Sequence, residues 1–148
     1  MEKKKILVVD DEPLIPILMK EIIEENGDLE IAGIATGKEE FWEAVGHGSF
    51  DAALIDISVE GREGGLELLG LMKAKGIELP SVMLSAYDEL QYAFKALKAG
   101  ARGYLNKKYI CSDVVRCLYQ VLDGHLFVSG DRGEKIIREY EQSYASPM

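Results

Sequence analysis

Five polar residues stand where apolar runs stop. Asp10 and Asp11 follow Ile6-Leu7-Val8-Val9, Asp56 follows Ala52-Ala53-Leu54-Ile55, Ser85 follows Val82-Met83-Leu84, and Lys107 comes just after Gly103-Tyr104-Leu105. Ser85 lies 29 positions after Asp56, and Lys107 lies 22 positions after Ser85. Apolar runs without alternation read as strands buried on both faces, as in parallel sheets. Ligands of open parallel sheets bind outside the carboxyl ends of the strands, where strand order reverses. Three carboxylates gathered there repel one another unless a cation lies among them. An all-oxygen set with room for water suits Mg²⁺ better than Zn²⁺. With a hydroxyl and an ammonium added from the next two strand ends, the set makes a site for a phosphoryl group.

Each residue also has an ordinary reading. Asp11 would serve as a helix cap, Asp56 as a loop cap, Ser85 as a turn residue and Lys107 as a solvated surface lysine. Taken singly, these are the default. Taken together, the residues fall at the C-terminal ends of four strands and at no N-terminal end, for which coincidence is a poor explanation.

The elements that must position them alternate. A first helix is expected over residues 13–25, with Leu14, Ile17, Leu18 and Ile22 on its inward side. Pro13 and Pro16 sit in its first turn, where a missing N–H costs little, and Asn26-Gly27 stops it. A second strand is expected over 30–35 and a short helix over 39–45, carrying Phe41 and the single tryptophan, Trp42. After Asp56 comes a glycine-rich loop, Glu60-Gly61-Arg62-Glu63-Gly64-Gly65, then a helix over 66–75 with Leu68, Leu69 and Met72 inward. Further helices are expected over 89–99 and 113–122, the latter striped by Val114, Leu118, Val121 and Leu122. Five strands alternating with helices imply βαβ units and an α/β fold. The right-handed crossover rule leaves few arrangements. The expected one is a flavodoxin-like, doubly wound, five-stranded parallel sheet of order 2-1-3-4-5 with five flanking helices. Residues 1–125 form this unit. Residues 126–148 form an extension or linker, with room for one short helix around Ile136, Ile137 and Tyr140.

Composition narrows the classes. With 148 residues, 47% hydrophobic and 29% charged, the chain is long enough to bury a core without disulfides. The basic start, Lys3-Lys4-Lys5, precedes too short an apolar run for export, and no run approaches a membrane span. A cytoplasmic protein away from the membrane is expected. Asp and Glu number 26 against 17 Lys and Arg, a net charge of −9, which opposes binding to nucleic acid by this chain. Cys111 and Cys117 form neither a CxxC pair nor a zinc pattern, and His47 and His125 read as solvated loop-edge residues.

The motifs Val8-Val9-Asp10-Asp11-Glu12, Leu54-Ile55-Asp56, Leu84-Ser85-Ala86 and Gly103-Tyr104-Leu105-Asn106-Lys107 resemble, in order and spacing, the four signatures of a response-regulator receiver domain. The resemblance covers residues 5–124. It implies that Asp56 is the phosphoacceptor, attacking a phosphohistidine on a sensor histidine kinase or phosphotransfer protein. It implies that Asp11, Asp56 and the Ser58 carbonyl hold Mg²⁺, with Asp10 acting through a metal-bound water. Ser85 and Lys107 would take phosphoryl oxygens, and Tyr104 would be the switch aromatic that moves inward when Ser85 is drawn to the phosphate. The implied protein is a signalling protein rather than an enzyme, with a face of helix 4, strand 5 and helix 5 that meets a partner or a second copy on phosphorylation.

Two departures from the family pattern stand out. Val59 and Glu60 occupy positions where Met-Pro is usual, and the loop is one residue longer, so that Gly65 takes the usual glycine's place. Lys108 follows Lys107 where proline, often after a cis bond, is usual. Without proline a cis bond is costly, so either strain is tolerated or the bond is trans. Residues 103–129 resemble the subfamily that carries a C-terminal helix-turn-helix, but the residues after Gly124 are too few for that domain. The chain is either stand-alone or a piece of a longer regulator. A pseudo-receiver that binds without phosphorylation is the alternative, although it would normally lack one of the five polar residues. An aspartate phosphatase would normally carry an acid–base aspartate where Ser58 stands.

Overall fold

The computed structural model describes residues 2–87 and 90–145. Its elements are β1 (Lys4–Val9), α1 (Leu14–Glu24), β2 (Leu29–Ala35), α2 (Lys38–His47), β3 (Ala52–Asp56), α3 (Gly64–Ala74), β4 (Ser81–Ser85), α4 (Leu90–Lys98), β5 (Gly103–Asn106), α5 (Ile110–Leu122), β6 (Phe127–Val128) and α6 (Gly133–Tyr140). The expected start of the fourth helix at Glu89 lies outside the described residues. All paired strands are parallel, in the order β2-β1-β3-β4-β5-β6. No helix among the described residues is long and apolar enough to cross a membrane.

Alternation along the strands divides the core in two. Ile6, Val8, Leu54, Val82, Leu84 and Leu105 meet Ile15, Met19 and Ile23 of α1 and Val114, Leu118 and Val121 of α5. Leu7, Val9, Ile55, Met83 and Tyr104 face the other way, toward Phe41, Leu68, Met72, Ala93, Leu97 and Ile136. With helices on both faces, the central strands must be apolar where they are covered, which is why residues 6–9 of β1 and 52–55 of β3 read as unbroken runs.

The first helix departs from expectation. Leu14 and Ile17 are 70% and 63% exposed, Leu18 and Ile22 are half-buried, and the inward series is Ile15, Met19 and Ile23. Leu14, Ile15, Ile17, Leu18, Met19, Ile22 and Ile23 make the helix apolar on nearly every side, so two stripes fit the helical period equally well and only packing decides. α3 buries Leu68, Leu69 and Met72 and α5 buries Val114, Leu118 and Val121, with Leu122 only half-buried, and α5 begins earlier, at Ile110, behind a 3₁₀ turn at Lys107–Tyr109. No cis peptide occurs among the described residues, so the Lys107–Lys108 bond is trans.

The sheet gains a sixth strand beyond the five expected. β6 lies parallel to β5, with Phe127 N–H donating to the Arg102 carbonyl and Ser129 N–H to the Tyr104 carbonyl. A two-residue strand carries too little pattern to be read from sequence. The helix expected around Ile136 is present as α6, and it packs against α4.

Residues 57–63 link β3 to α3 through a tight loop. Glu60 takes a positive φ of 49°, and its carboxylate accepts from Lys38 N–H at the start of α2. Arg62 Nε donates to the Tyr92 hydroxyl at 3.3 Å, and Glu63 pairs with Lys95 of α4 at 2.5 Å. A Cβ on Gly64 would collide with the Val59 carbonyl, and one on Gly65 would lie 2.7 Å from the Asp56 carbonyl oxygen. The longer loop is thus accommodated by two adjacent glycines where a single one was expected to serve.

Candidate functional site

The C-terminal ends of β1, β3, β4 and β5 meet in one crevice. Pairing sets Val9 beside Ile55, Asp56 beside Leu84 and Ser85 beside Asn106. Asp10, Asp11 and Asp56 each offer a carboxylate oxygen within 4.8 Å of the others. Asp10 is fully buried, Asp56 nearly so, and Asp11 is exposed. The N-cap of α1 is Pro13, with no side-chain hydrogen bond, so Asp11 is not spent on capping.

Lys107 reaches into this group. Its Nζ lies 3.0 Å from Asp10 Oδ2, 3.1 Å from Glu12 Oε1 and 3.6 Å from Asp56 Oδ2. Asp10 Oδ1 accepts from Glu12 N–H at 2.9 Å, and Asp56 Oδ1 accepts from Ser58 N–H at 3.0 Å. Asp10 Oδ2 is buried without a hydrogen bond of good geometry and is ion-paired with the lysine ammonium. Burial raises the Asp10 pKa, and the Asp56 charge adds to this against the opposing pull of Glu12 N–H and Lys107. Burial works against the Lys107 ammonium too, but its close ion pair with Asp10 and the charge of Asp56 outweigh it and hold its pKa above the ordinary value. Lys108 turns elsewhere, its ammonium 5.3 Å from the Tyr109 ring.

The donor set fits a hard divalent cation. It is all oxygen, anionic and partly open to water, and it contains a buried carboxylate oxygen without a hydrogen bond. The Ser58 carbonyl accepts a long bond, 3.3 Å, from Gly61 N–H within the loop.

Ser85 and Tyr104 are engaged elsewhere than the carboxylates. Ser85 Oγ accepts from Tyr87 N–H at 2.9 Å and donates weakly to the Tyr87 carbonyl at 3.4 Å. The Tyr104 hydroxyl donates to that same carbonyl at 3.0 Å, and so does Asn106 Nδ2 at 3.0 Å. Tyr104 is already buried, at 4% exposure. Sequence reasoning assigned no role to Glu12, Tyr87 or Asn106. Glu12 carried one signal, a third acid beside the aspartate pair. Tyr87 acts through its backbone, which side-chain identity does not reveal. Among the other residues weighed, His47 and His125 are exposed, and burial pushes the Cys117 thiol pKa strongly up.

The strand order, the helices on both faces and the acidic crevice at the switch point define a flavodoxin-like, CheY-like receiver fold. Residues 6–118 match the response regulator receiver domain family, and the chain belongs to it. It is 30% identical over 128 residues to the nitrate/nitrite response regulator protein NarL of Escherichia coli, a match covering 86% of this chain and 59% of that protein. It is 27% identical over 126 residues to the transcriptional regulatory protein ComA of Bacillus subtilis, covering 84% and 59%. The chain therefore spans less than two thirds of these curated relatives. Among solved structures, a LuxR-family two-component response regulator from Aurantimonas superposes with a TM-score of 0.82 at 20% identity, over 96% of this chain and 100% of that one. A CheY-like receiver domain protein from Methanospirillum hungatei superposes with a TM-score of 0.71 at 30% identity, over 82% and 95%.

Proposed function

We propose that this receiver accepts a phosphoryl group on Asp56 from a histidine kinase or phosphotransfer protein of a two-component system, in a reaction that needs Mg²⁺. The observation that carries the reading is the convergence of Asp10, Asp11, Asp56 and Lys107 at one set of strand ends. A carboxylate oxygen of Asp56 attacks phosphorus, the P–N bond to the donor imidazole breaks, and its electron pair leaves with the imidazole. Such a transfer needs chiefly positioning and charge neutralisation.

Asp10, Asp11 and Asp56, with the Ser58 carbonyl, would hold the ion. The ion supplies positive charge against the incoming phosphoryl oxygens. Lys107 exchanges one of its carboxylate partners for a phosphoryl oxygen, and Ser85 turns from Tyr87 to donate to another. Because the Tyr104 hydroxyl shares the Tyr87 carbonyl with Ser85, Tyr104 is placed to sense that turn. The consequence spreads to α4 and α5, and α6 lies against α4, so the face that meets a partner or a second copy includes the C-terminal segment.

The residues that would have to be missing in a pseudo-receiver are all present, which favours the phosphorylated reading. The chain itself takes no DNA: α6 carries Lys135 and Arg138 against Glu134 and Glu139. Retention of duplex DNA in a low-salt mobility shift would contradict that. Acetyl phosphate with Mg²⁺ should add one phosphoryl group to the wild-type chain, and EDTA or Asp56→Asn should abolish it. Labelling that survives in EDTA would refute the need for Mg²⁺.

A further inference from the structure

Asn106 ends β5 beside Ser85, one residue before Lys107, and is only 5% exposed. Its side chain donates from Nδ2 to the Tyr87 carbonyl at 3.0 Å and accepts at Oδ1 from Lys108 N–H at 3.0 Å. Its own backbone N–H donates to Ser129 Oγ at 2.9 Å. A donor meets a carbonyl and an acceptor meets an N–H, so the partners fix which way the amide points. The three bonds run to three separate segments: the loop after β4, the 3₁₀ turn that carries Lys107, and the end of β6.

The Tyr87 carbonyl receives Ser85 Oγ, Tyr104 Oη and Asn106 Nδ2. A carbonyl oxygen has two lone pairs, so three donors are one too many. The Ser85 bond, at 3.4 Å, is the longest and the easiest to release. When it goes, Asn106 and Tyr104 still satisfy the carbonyl, and the loop keeps its place while the Ser85 proton is redirected and Oγ goes on accepting from Tyr87 N–H. At the same time the Oδ1 bond caps the turn after Lys107, which here contains no proline to preset it.

We propose that Asn106 is a positioning residue for phosphoryl acceptance: it aims Lys107 and frees Ser85, and Ser129 of the C-terminal segment anchors it. This rests on the phosphoacceptor reading. Asn106→Leu is close in size and removes both side-chain bonds. It should slow phosphorylation by acetyl phosphate roughly tenfold or more. Its Mg²⁺ affinity, read by calorimetry, should not fall with the rate, because the ligands Asp10, Asp11 and Asp56 sit on other strands and a lysine held less firmly against Asp10 and Asp56 opposes the ion less. Ser129→Ala should slow the reaction in the same direction by a smaller factor.

A wild-type rate in Asn106→Leu would overturn the proposal. So would an Mg²⁺ affinity that falls as far as the rate, which marks a merely structural residue. A wild-type rate in Ser129→Ala would overturn the anchor. Should Asn106→Leu fail to fold, Asn106→Asp, which keeps the Lys108 cap and loses the bond to Tyr87, faces the same two readouts. If the wild-type chain itself takes no phosphoryl group, the functional reading falls and this inference with it; if only the variants behave like wild type, this inference falls alone.

Discussion

Alanine at Gly65 and alanine at Gly70 should move stability in opposite directions, although both residues lie in α3. A Cβ at Gly65 would sit 2.7 Å from the Asp56 carbonyl oxygen and 2.9 Å from Ile57 Cα, where ordinary contact begins at 3.4 Å. Both obstacles are backbone, so neither swings aside. The helix cannot simply withdraw, because Gly65 N–H donates to the Ile57 carbonyl at 2.9 Å. Helix propensity would return about 1 kcal/mol, while overpacking against backbone costs about 3 kcal/mol, the upper end of its range. The net loss is about 2 kcal/mol, or about 4–8 °C in Tm for a domain of this size. At Gly70 nothing lies within 4 Å of the added Cβ and the site is exposed. There the propensity gain stands alone, raising Tm by about 2–4 °C. Thermal unfolding followed by far-ultraviolet circular dichroism measures both. Because the Asp56 carbonyl must shift, Gly65→Ala should also slow phosphorylation roughly tenfold. A Gly65→Ala protein at least as stable as wild type would refute the close approach of α3 to β3.

Other perturbations test the site and the tail. Lys107→Ala should slow phosphorylation by roughly a hundredfold, whereas Lys108→Ala, whose ammonium rests on Tyr109, should stay within about twofold; the reverse ranking would mean the wrong lysine has been assigned. Burial and the Asp56 charge raise the Asp10 pKa, so its ionisation costs stability as pH climbs from the ordinary carboxylate range through the raised value. Asp10→Asn should therefore stabilise the metal-free chain at about pH 7 and do little at about pH 3; urea midpoints that shift equally at both would exclude this cause. Ile136→Ala should cost about 2–3 kcal/mol, because Ile136 is 5% exposed and packs in the core. An unchanged urea midpoint would make residues 126–148 a linker rather than part of the folded unit.

The strand ends were the legible part of this molecule. Residues 6–9 of β1, 52–55 of β3 and 82–84 of β4 are buried on both faces, so these runs are apolar without interruption, and the first polar residue after each marks a strand end at the crevice. Gly65 was legible as the residue that takes the family's usual glycine position, but that it and Gly64 are both wedged against backbone is something a residue letter does not show. The inward face of α1 was misjudged because Leu14 and Ile17 offer as good a stripe as Ile15 and Met19. β6 was invisible because two residues carry no periodicity. Asn106 and Glu12 escaped notice for another reason. Their partners, Tyr87 and Ser129 for one and Lys107 for the other, are distant in sequence and become neighbours only when the sheet is assembled.

Reductive trapping is the most direct test of the phosphoacceptor assignment. After incubation with acetyl phosphate and Mg²⁺, borohydride converts an acyl phosphate of aspartate into homoserine, and peptide mass spectrometry locates it. Homoserine at position 56 alone, absent when EDTA is present, is the predicted result. Homoserine at Asp10 or Asp11, or none anywhere in a folded chain supplied with Mg²⁺, would contradict it.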